Sequence, residues 1–141
     1  MTLMKGAGTG VTMPVTSEWY NDEKTILMIK YDGVWTLDDY YQNFKVATDM
    51  METVDHNVVT ILDFSSSGQI PVQFLTVGNH SERARAKNNI QIIIFGVNRY
   101  MEVLAGLFQR IFPNATRNMQ IVGSLEEAVR NAKATLSEEV G

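Results

Sequence analysis

Two apolar runs constrain the fold of this chain more strongly than any other feature of its sequence. They are NVVTILDF at residues 57–64 and IQIIIFG at residues 90–96, and both carry β-branched side chains at consecutive positions. A strand that is apolar on both faces is normally covered on both faces, as in a parallel sheet packed between helices. We therefore expect an α/β protein, with the second run at the centre of its sheet.

Shorter signals complete this prediction. Residues 15–20 and 25–31 are β-like runs joined by a polar turn, which predicts an N-terminal β-hairpin. A short last strand is predicted at residues 119–123. Apolar residues at helical spacing predict helices in four segments, which are residues 36–54, 71–86 and 99–112 and a final helix that begins after Ser124. The predicted fold is a mixed, mostly parallel five-stranded sheet with an N-terminal β-hairpin and about four helices.

Length and composition predict the domain organisation. Residues 1–13 are rich in Gly and Thr and lack periodicity, so we expect a mobile N-terminal leader. Residues 14–141 are expected to form a single domain. A chain of 141 residues with 45% hydrophobic and 20% charged residues can bury an adequate core without disulfides or metals.

Charge and cysteine usage exclude several classes of function. The net charge of -4 argues against nucleic-acid binding, which depends on clustered Lys and Arg. The absence of cysteine excludes disulfides, a thiolate nucleophile and a Cys-based zinc site, and it is typical of a reducing compartment, so we expect a cytoplasmic protein. No apolar run approaches the length of a membrane-spanning helix, so no integral membrane segment is expected.

The first apolar run is followed by SSSGQIP, which raises the question of a functional turn. Asp63 is expected at the end of the strand, and Ser65, Ser66, Ser67 and Gly68 are expected to form a turn before the helix predicted from residue 71. Serines at a helix N-terminus suit a phosphorylation site or an anion-binding turn. The same residues suit a plain turn and helix cap, with Asp63 accepting backbone N–H bonds, and we favour this second interpretation.

Two more loops follow predicted parallel strands. In open α/β sheets, ligands favour the loops beyond the carboxyl ends of the strands. Asn98 and Ser124 occupy such loops, at residues 96–98 and 123–124. They are therefore candidates for the polar mouth of a ligand pocket.

The helix predicted at residues 99–112 carries more apolar surface than a helix lying on a sheet needs. Apolar side chains cover roughly 200° of its circumference. The excess can be deep core, an interface with a partner subunit, or one wall of an apolar pocket. The candidate interface or ligand-binding residues on this helix are Tyr100, Met101, Leu104, Ala105, Phe108 and Phe112.

The segment ERARAK places Arg83, Arg85 and Lys87 near a predicted helix end. Cations at that position are stabilised by the helix dipole. A solvated helix end is favoured over a site for a phosphate or a lipid headgroup.

No catalytic constellation is visible in this sequence. His56 and His80 are on different predicted elements, lack metal-ligand spacing, and are interpreted as surface residues. No nucleophile elbow, P-loop or paired-carboxylate motif is present. We therefore expect no enzyme activity, no metal and no cofactor.

Four segments together resemble the SpoIIAA-like family of the STAS superfamily, a fold related to the SEC14 type of lipid-binding domain. They are YDGVWTLDDYYQNF at residues 31–44, VVTILDFSSSGQIP at residues 58–71, IIIFGVN at residues 92–98 and GSLEEAVRNA at residues 123–132. The resemblance implies a STAS-like fold and a non-enzymatic regulatory module. It also implies phosphorylation by a partner kinase of a serine in the segment of residues 65–67.

Two hypotheses of different classes follow. In the first, the chain is a regulatory module that binds a protein partner or itself as a homodimer, switched by phosphorylation or ligand binding after the third strand. In the second, it carries a small apolar, lipid-like molecule between the helix at residues 99–112 and the sheet. An enclosed apolar cavity favours the second hypothesis.

Overall fold

The computed structural model describes residues 13–71, 73–74, 77, 80 and 84–140. The predicted leader lies outside the described residues, except for Met13. Five strands and three helices occur in the described part of the chain. They are β1 (Val15–Trp19), β2 (Ile26–Gly33), α1 (Leu37–Met51), β3 (Val58–Ser67), β4 (Asn89–Phe95), α2 (Arg99–Ile111), β5 (Met119–Ile121) and α3 (Leu125–Val140).

The strands form one mixed sheet in the order β1-β2-β3-β4-β5. β1 is antiparallel to β2, and all other neighbours are parallel. The predicted α/β class and the mixed five-stranded sheet are therefore confirmed. The prediction that residues 90–96 lie at the centre is wrong, because the spatial order follows the chain order and places β3 in the middle.

The sheet buries both of its faces. Right-handed crossovers that all advance in one direction place their connections on the same face of a sheet. Accordingly, α1, α2 and the connection between β3 and β4 cover one face, where Tyr40, Val77 and Phe108 share a core cluster with Ile29. α3 covers the opposite face, where Ala128 and Ala132 pack beside Val59, Ile61 and Ile93.

α1 begins where the sequence predicts. The hydroxyl of Thr36 accepts a hydrogen bond from the backbone N–H of Asp39, and the carboxylate of Asp39 accepts one from the N–H of Thr36. This capping box stabilises the first turn. The predicted end at residue 54 is wrong, because the helix ends at Met51.

Half of the residues in the helix predicted over residues 71–86 lie outside the described part of the chain. Gln73 and Phe74 form a short 3₁₀ turn, and Val77 and Ala86 are buried in the core. The described part of this connection therefore covers the sheet between α1 and α2.

The predicted turn at Ser65, Ser66 and Ser67 is wrong, because these residues belong to β3. β2 continues through Gly33 and offers partners beyond Asp63, with Asp32 opposite Ser66 and Gly33 opposite Ser67. A paired neighbour satisfies the backbone groups that a turn would otherwise expose. The strand therefore continues through three polar residues that carry no apolar pattern.

Candidate functional site

An apolar cavity of about 130 Å³ lies between the sheet and the helices α1 and α2. Its floor is formed by alternate side chains of β2 to β5, among them Ile29, Leu62 and Ile94. The connection between β3 and β4 contributes to the wall through Ile70 and Phe74. The cavity thus lies on the face of the sheet that three connections cover.

Both helices contribute apolar side chains to the wall. α2 supplies Met101, Leu104, Ala105 and Phe108, whereas α1 supplies Tyr40, Asn43, Phe44, Ala47, Thr48 and Met51. The sequence predicted α2 as a possible wall of an apolar pocket but did not predict that α1 contributes to it. The helical spacing of the α1 residues is the signal that was available, and it does not distinguish a pocket wall from filled core.

The backbones of α1 and α3 approach the strands at several positions, whereas fewer positions of α2 do so. Met101 and Phe108 of α2 are nevertheless buried in the core cluster on this face of the sheet. Both side chains also line the cavity.

Aromatic rings line much of the wall. Tyr31 stacks on Phe64 with ring centroids 4.4 Å apart, and Phe74 stacks on Phe108 at 6.0 Å. The rings of Tyr40 and Phe74 are nearly perpendicular, with centroids 5.2 Å apart. Aromatic faces and edges of this kind attract both aliphatic groups and other rings.

Several polar groups of the wall are paired within the protein. The hydroxyl of Thr60 donates to the side-chain oxygen of Asn89 at 3.0 Å. The amide oxygen of Asn43 accepts from Ser17 at 2.8 Å, and its nitrogen donates to the carbonyl of Val15 at 3.3 Å. These pairs reduce the polarity that the wall offers to an occupant.

Burial also affects the ionisation of Tyr31, which lies on β2. Burial and, to a lesser degree, the neighbouring phenol of Tyr40 raise the pKa of Tyr31 above its usual range. Its hydroxyl therefore stays protonated and uncharged at neutral pH. No charged side chain occurs among the described residues that line the cavity.

The serine strand, which is the end of β3 at residues 63–67, forms mainly local hydrogen bonds. The Asp63 carboxylate accepts hydrogen bonds from both the backbone N–H (2.8 Å) and the hydroxyl (2.6 Å) of Ser65. This agrees with the prediction that Asp63 accepts backbone N–H bonds. Ser67 bonds with the indole of Trp35, while Ser66 is exposed. Gly68 donates its N–H to the carbonyl of Gly33. None of these residues lines the cavity described here.

Asn98 and Ser124, predicted at a pocket mouth, act as helix caps. The side chain of Asn98 accepts from the N–H of Met101 at 2.9 Å, and the hydroxyl of Ser124 accepts from the N–H of Glu127 at 3.1 Å. Neither lines the cavity described here. An order of strands without a reversal provides no crevice at a topological switch point, which is where such loops normally bind ligands.

The apolar surface of α2 consists of two stripes with different surroundings. Met101, Leu104, Ala105 and Phe108 line the cavity, as one of the predicted alternatives requires. Phe112, at the end of the helix, is partly buried against Phe108. A neighbouring stripe is exposed and consists of Tyr100, Val103, Leu107 and Ile111.

The two histidines differ in their surroundings. His56 is exposed, and its Nε2 bonds with the carbonyl of Lys24 at 2.8 Å. His80, also interpreted as a surface residue, is partly buried, and its ring lies 4.8 Å from the rings of both Tyr41 and Phe44. Its buried Nδ1 has no hydrogen-bond partner in the described part of the chain. The ring of His80 therefore packs against aromatic side chains of α1.

No protein-family model and no curated protein matches this sequence. Within the residues that the structure describes, no helix combines the length and the apolar character needed to span a membrane.

Proposed function

We propose that this protein binds a small apolar molecule in the cavity between the sheet and the helices α1 and α2. The observation that carries this proposal is a cavity of about 130 Å³ whose described wall is predominantly apolar and carries no charge. An engineered protein cavity of about 150 Å³ with similar walls stays dry and binds benzene. The expected ligand, or the part of it that enters, is therefore about the size of one aromatic ring or a short alkyl chain.

The free-energy cost of an empty cavity also favours the binding of a ligand. Empty space inside a core costs on the order of 24 cal/mol per Å³, which is about 3 kcal/mol for a cavity of 130 Å³. A ligand that fills the space recovers part of this free energy. Met51, Met101 and Met119 contribute flexible, polarisable side chains that adapt to different ligand shapes.

Thermal unfolding with benzene and toluene tests the proposal. At ten times its dissociation constant, a ligand adds about 1.4 kcal/mol to the free energy of unfolding, which raises Tm by roughly 3 to 6 °C in a domain of this size. Ala105→Leu, which places a larger side chain in the cavity, is expected to abolish this shift. Ala134→Leu makes the same change at an exposed position of α3 and should retain it.

Two results would contradict the proposal. One is a wild-type Tm that neither ligand changes, and the other is an equal shift in wild type and Ala105→Leu. Because Ala105→Leu can also disturb packing, Ala47→Leu fills the cavity from the opposite helix and serves as a second test. Circular dichroism at 20 °C establishes that each variant is folded.

The exposed stripe of α2 favours a second candidate function. It supports the regulatory module implied by the resemblance to SpoIIAA-like proteins, with this stripe binding a second copy of the chain. Light scattering after gel filtration measures the mass of wild type and of Leu107→Glu. A wild-type dimer that the substitution dissociates supports self-association, and a wild-type monomer at high concentration contradicts it.

A further inference from the structure

A polar groove of about 850 Å³ lies at the amino ends of β4 and β5. Arg85 and Lys87 precede β4, and Arg117 precedes β5. Glu138 of α3 is the one carboxylate among the described residues that line the groove. Three cations and one carboxylate leave a local excess of positive charge in a chain of net charge -4.

Arg85 is held in place. Its Nε–H donates to the backbone carbonyl of Asn89 at 3.0 Å, and its side chain is partly buried. Burial lowers the pKa of Arg85, and the nearby charge of Arg117 lowers it further. Two guanidinium groups that repel each other are stabilised when an anion binds between them.

Among the residues that the structure describes, neither guanidinium has a carboxylate partner. The ion pair found in the described part of the chain joins Lys45 and Asp49, far from the groove in the sequence. Glu138 lines the groove without forming an ion pair with Arg85 or Arg117 among the described residues. The two arginines are therefore available to an oxyanion.

We propose that this groove is a binding site for a phosphate monoester, held by Arg85 and Arg117 together. The planar guanidinium group matches the oxygens of a phosphate in a bidentate arrangement. A phosphate monoester carries about -1.5 to -2 charge at pH 7, which matches the excess positive charge of the groove. Side-chain amides of Asn114 and Asn118 provide further donors in the wall.

This site is separate from the apolar cavity, and its proposal does not depend on the function proposed for that cavity. The two spaces share Ala86 and Asn89 in their walls, so they lie side by side. The phosphate can belong to a soluble molecule or to a lipid headgroup. The chemistry at the arginines is the same in both cases.

Calorimetric titration with glycerol 3-phosphate, at low ionic strength and pH 7.5, tests the site. Arg117→Gln is expected to weaken binding about tenfold or more, because it removes charge-assisted hydrogen bonds. Arg130→Gln removes the same charge from an exposed position on α3 outside the groove and should bind as wild type does. Equal weakening by both substitutions would show general charge attraction and overturn the proposal, as would the absence of binding to wild type.

Loss of binding in Arg117→Gln could also result from misfolding. A variant that is expected to bind more tightly avoids this ambiguity, because misfolding does not increase affinity. Glu138→Gln removes the repulsive carboxylate of the groove and is expected to tighten binding several-fold. Unchanged or weaker binding by this variant contradicts the assigned position of the phosphate.

Vesicles distinguish the two sources of the phosphate. Wild type is mixed with phosphatidylcholine vesicles that contain or lack phosphatidic acid, and bound protein is collected by centrifugation. Binding to the phosphatidic acid vesicles that Arg117→Gln weakens supports the site with a lipid headgroup. Binding to glycerol 3-phosphate with no vesicle binding supports it with a soluble ligand.

Discussion

The indole Nε1–H of Trp35 donates a hydrogen bond of 2.9 Å to the hydroxyl of Ser67. The hydroxyl of Ser67 in turn donates to the carbonyl of Gly68 at 2.9 Å. Trp35 is only 2% exposed, so its N–H has little access to water. The last residue of β3 thus anchors a buried tryptophan just before α1. Phosphorylation in the serine strand stays a prediction, and at Ser67 it would remove the hydroxyl proton that bonds to the carbonyl of Gly68.

Ser67→Ala is expected to lower the free energy of unfolding by about 1 to 3 kcal/mol, because it leaves the buried N–H of Trp35 without an acceptor. Ser66→Ala, at the exposed neighbouring position, should change it by less than about 0.5 kcal/mol. Urea unfolding followed by tryptophan fluorescence measures both. Equal stability of the two variants would show that water replaces the hydroxyl.

Phe108→Ala is expected to lower the free energy of unfolding by about 3 to 5 kcal/mol and to enlarge the cavity. Phe108 is buried and packs between Phe74 and Phe112. Leu107→Ala, one residue away on the exposed stripe, should cost less than about 1 kcal/mol. Urea unfolding compares the two variants.

The same pair of variants tests the size of the ligand site. Naphthalene, with two fused rings, is expected to raise the Tm of Phe108→Ala but not that of wild type or Leu107→Ala, because the deleted ring makes room for it. Stabilisation of all three proteins to the same degree would place the binding site elsewhere.

Gly96→Ala and Gly106→Ala are expected to change stability in opposite directions. Gly96 has φ +84°, and an added Cβ would lie 2.7 Å from the Cα of Ser65, so alanine there should cost about 2 to 5 kcal/mol. An added Cβ at Gly106, within α2, meets no atom within 4 Å among the described residues. Alanine should stabilise that helix by about 0.5 to 1 kcal/mol. The Tm of each variant relative to wild type shows whether the substitution stabilises or destabilises the protein.

The raised pKa of Tyr31 predicts that the folded protein loses stability at alkaline pH. Its pKa in the folded protein is raised, while in the unfolded chain it is about 10. Above pH 10 the unfolded state therefore loses the proton that the folded state keeps, and the free energy of unfolding falls by up to about 1.4 kcal/mol per pH unit. Tyr31→Phe should lack this contribution.

Urea unfolding of wild type and Tyr31→Phe between pH 7 and pH 11 measures this effect. The difference between the two free energies is expected to stay constant below about pH 9 and to shift in favour of Tyr31→Phe above pH 10. A constant difference across the whole range would mean that the phenol ionises as readily in the folded state as in the unfolded one.

Local sequence signals predicted most of the secondary structure. The apolar runs at residues 57–64 and 90–96 became interior strands, because side chains apolar on both faces are stable only between two covering layers. Thr36 and Asp39 predicted the start of α1, since a capping box involves residues three positions apart. Each of these features depends on neighbours in the chain.

Other features depend on residues that are distant in the sequence, which local signals do not reveal. The strand continues through Ser65 to Ser67 because β2 extends to Gly33 beside it, a partner that the serines themselves do not reveal. His80 is partly buried because α1 supplies Tyr41 and Phe44 around it. The pairing of β3 with β2 and the aromatic packing around His80 contribute more free energy than the local conformational preferences of these residues.

The sequence by itself determined the α/β class, the hairpin, and a helix at residues 99–111 with apolar surface in excess. Only the tertiary structure decided that one stripe of this helix lines a cavity and that the neighbouring stripe is exposed. It also brought Arg117 to Arg85, from a loop 32 positions later in the chain. Periodicity specifies which side chains share a face, whereas the spacing between elements depends on how all the faces pack together.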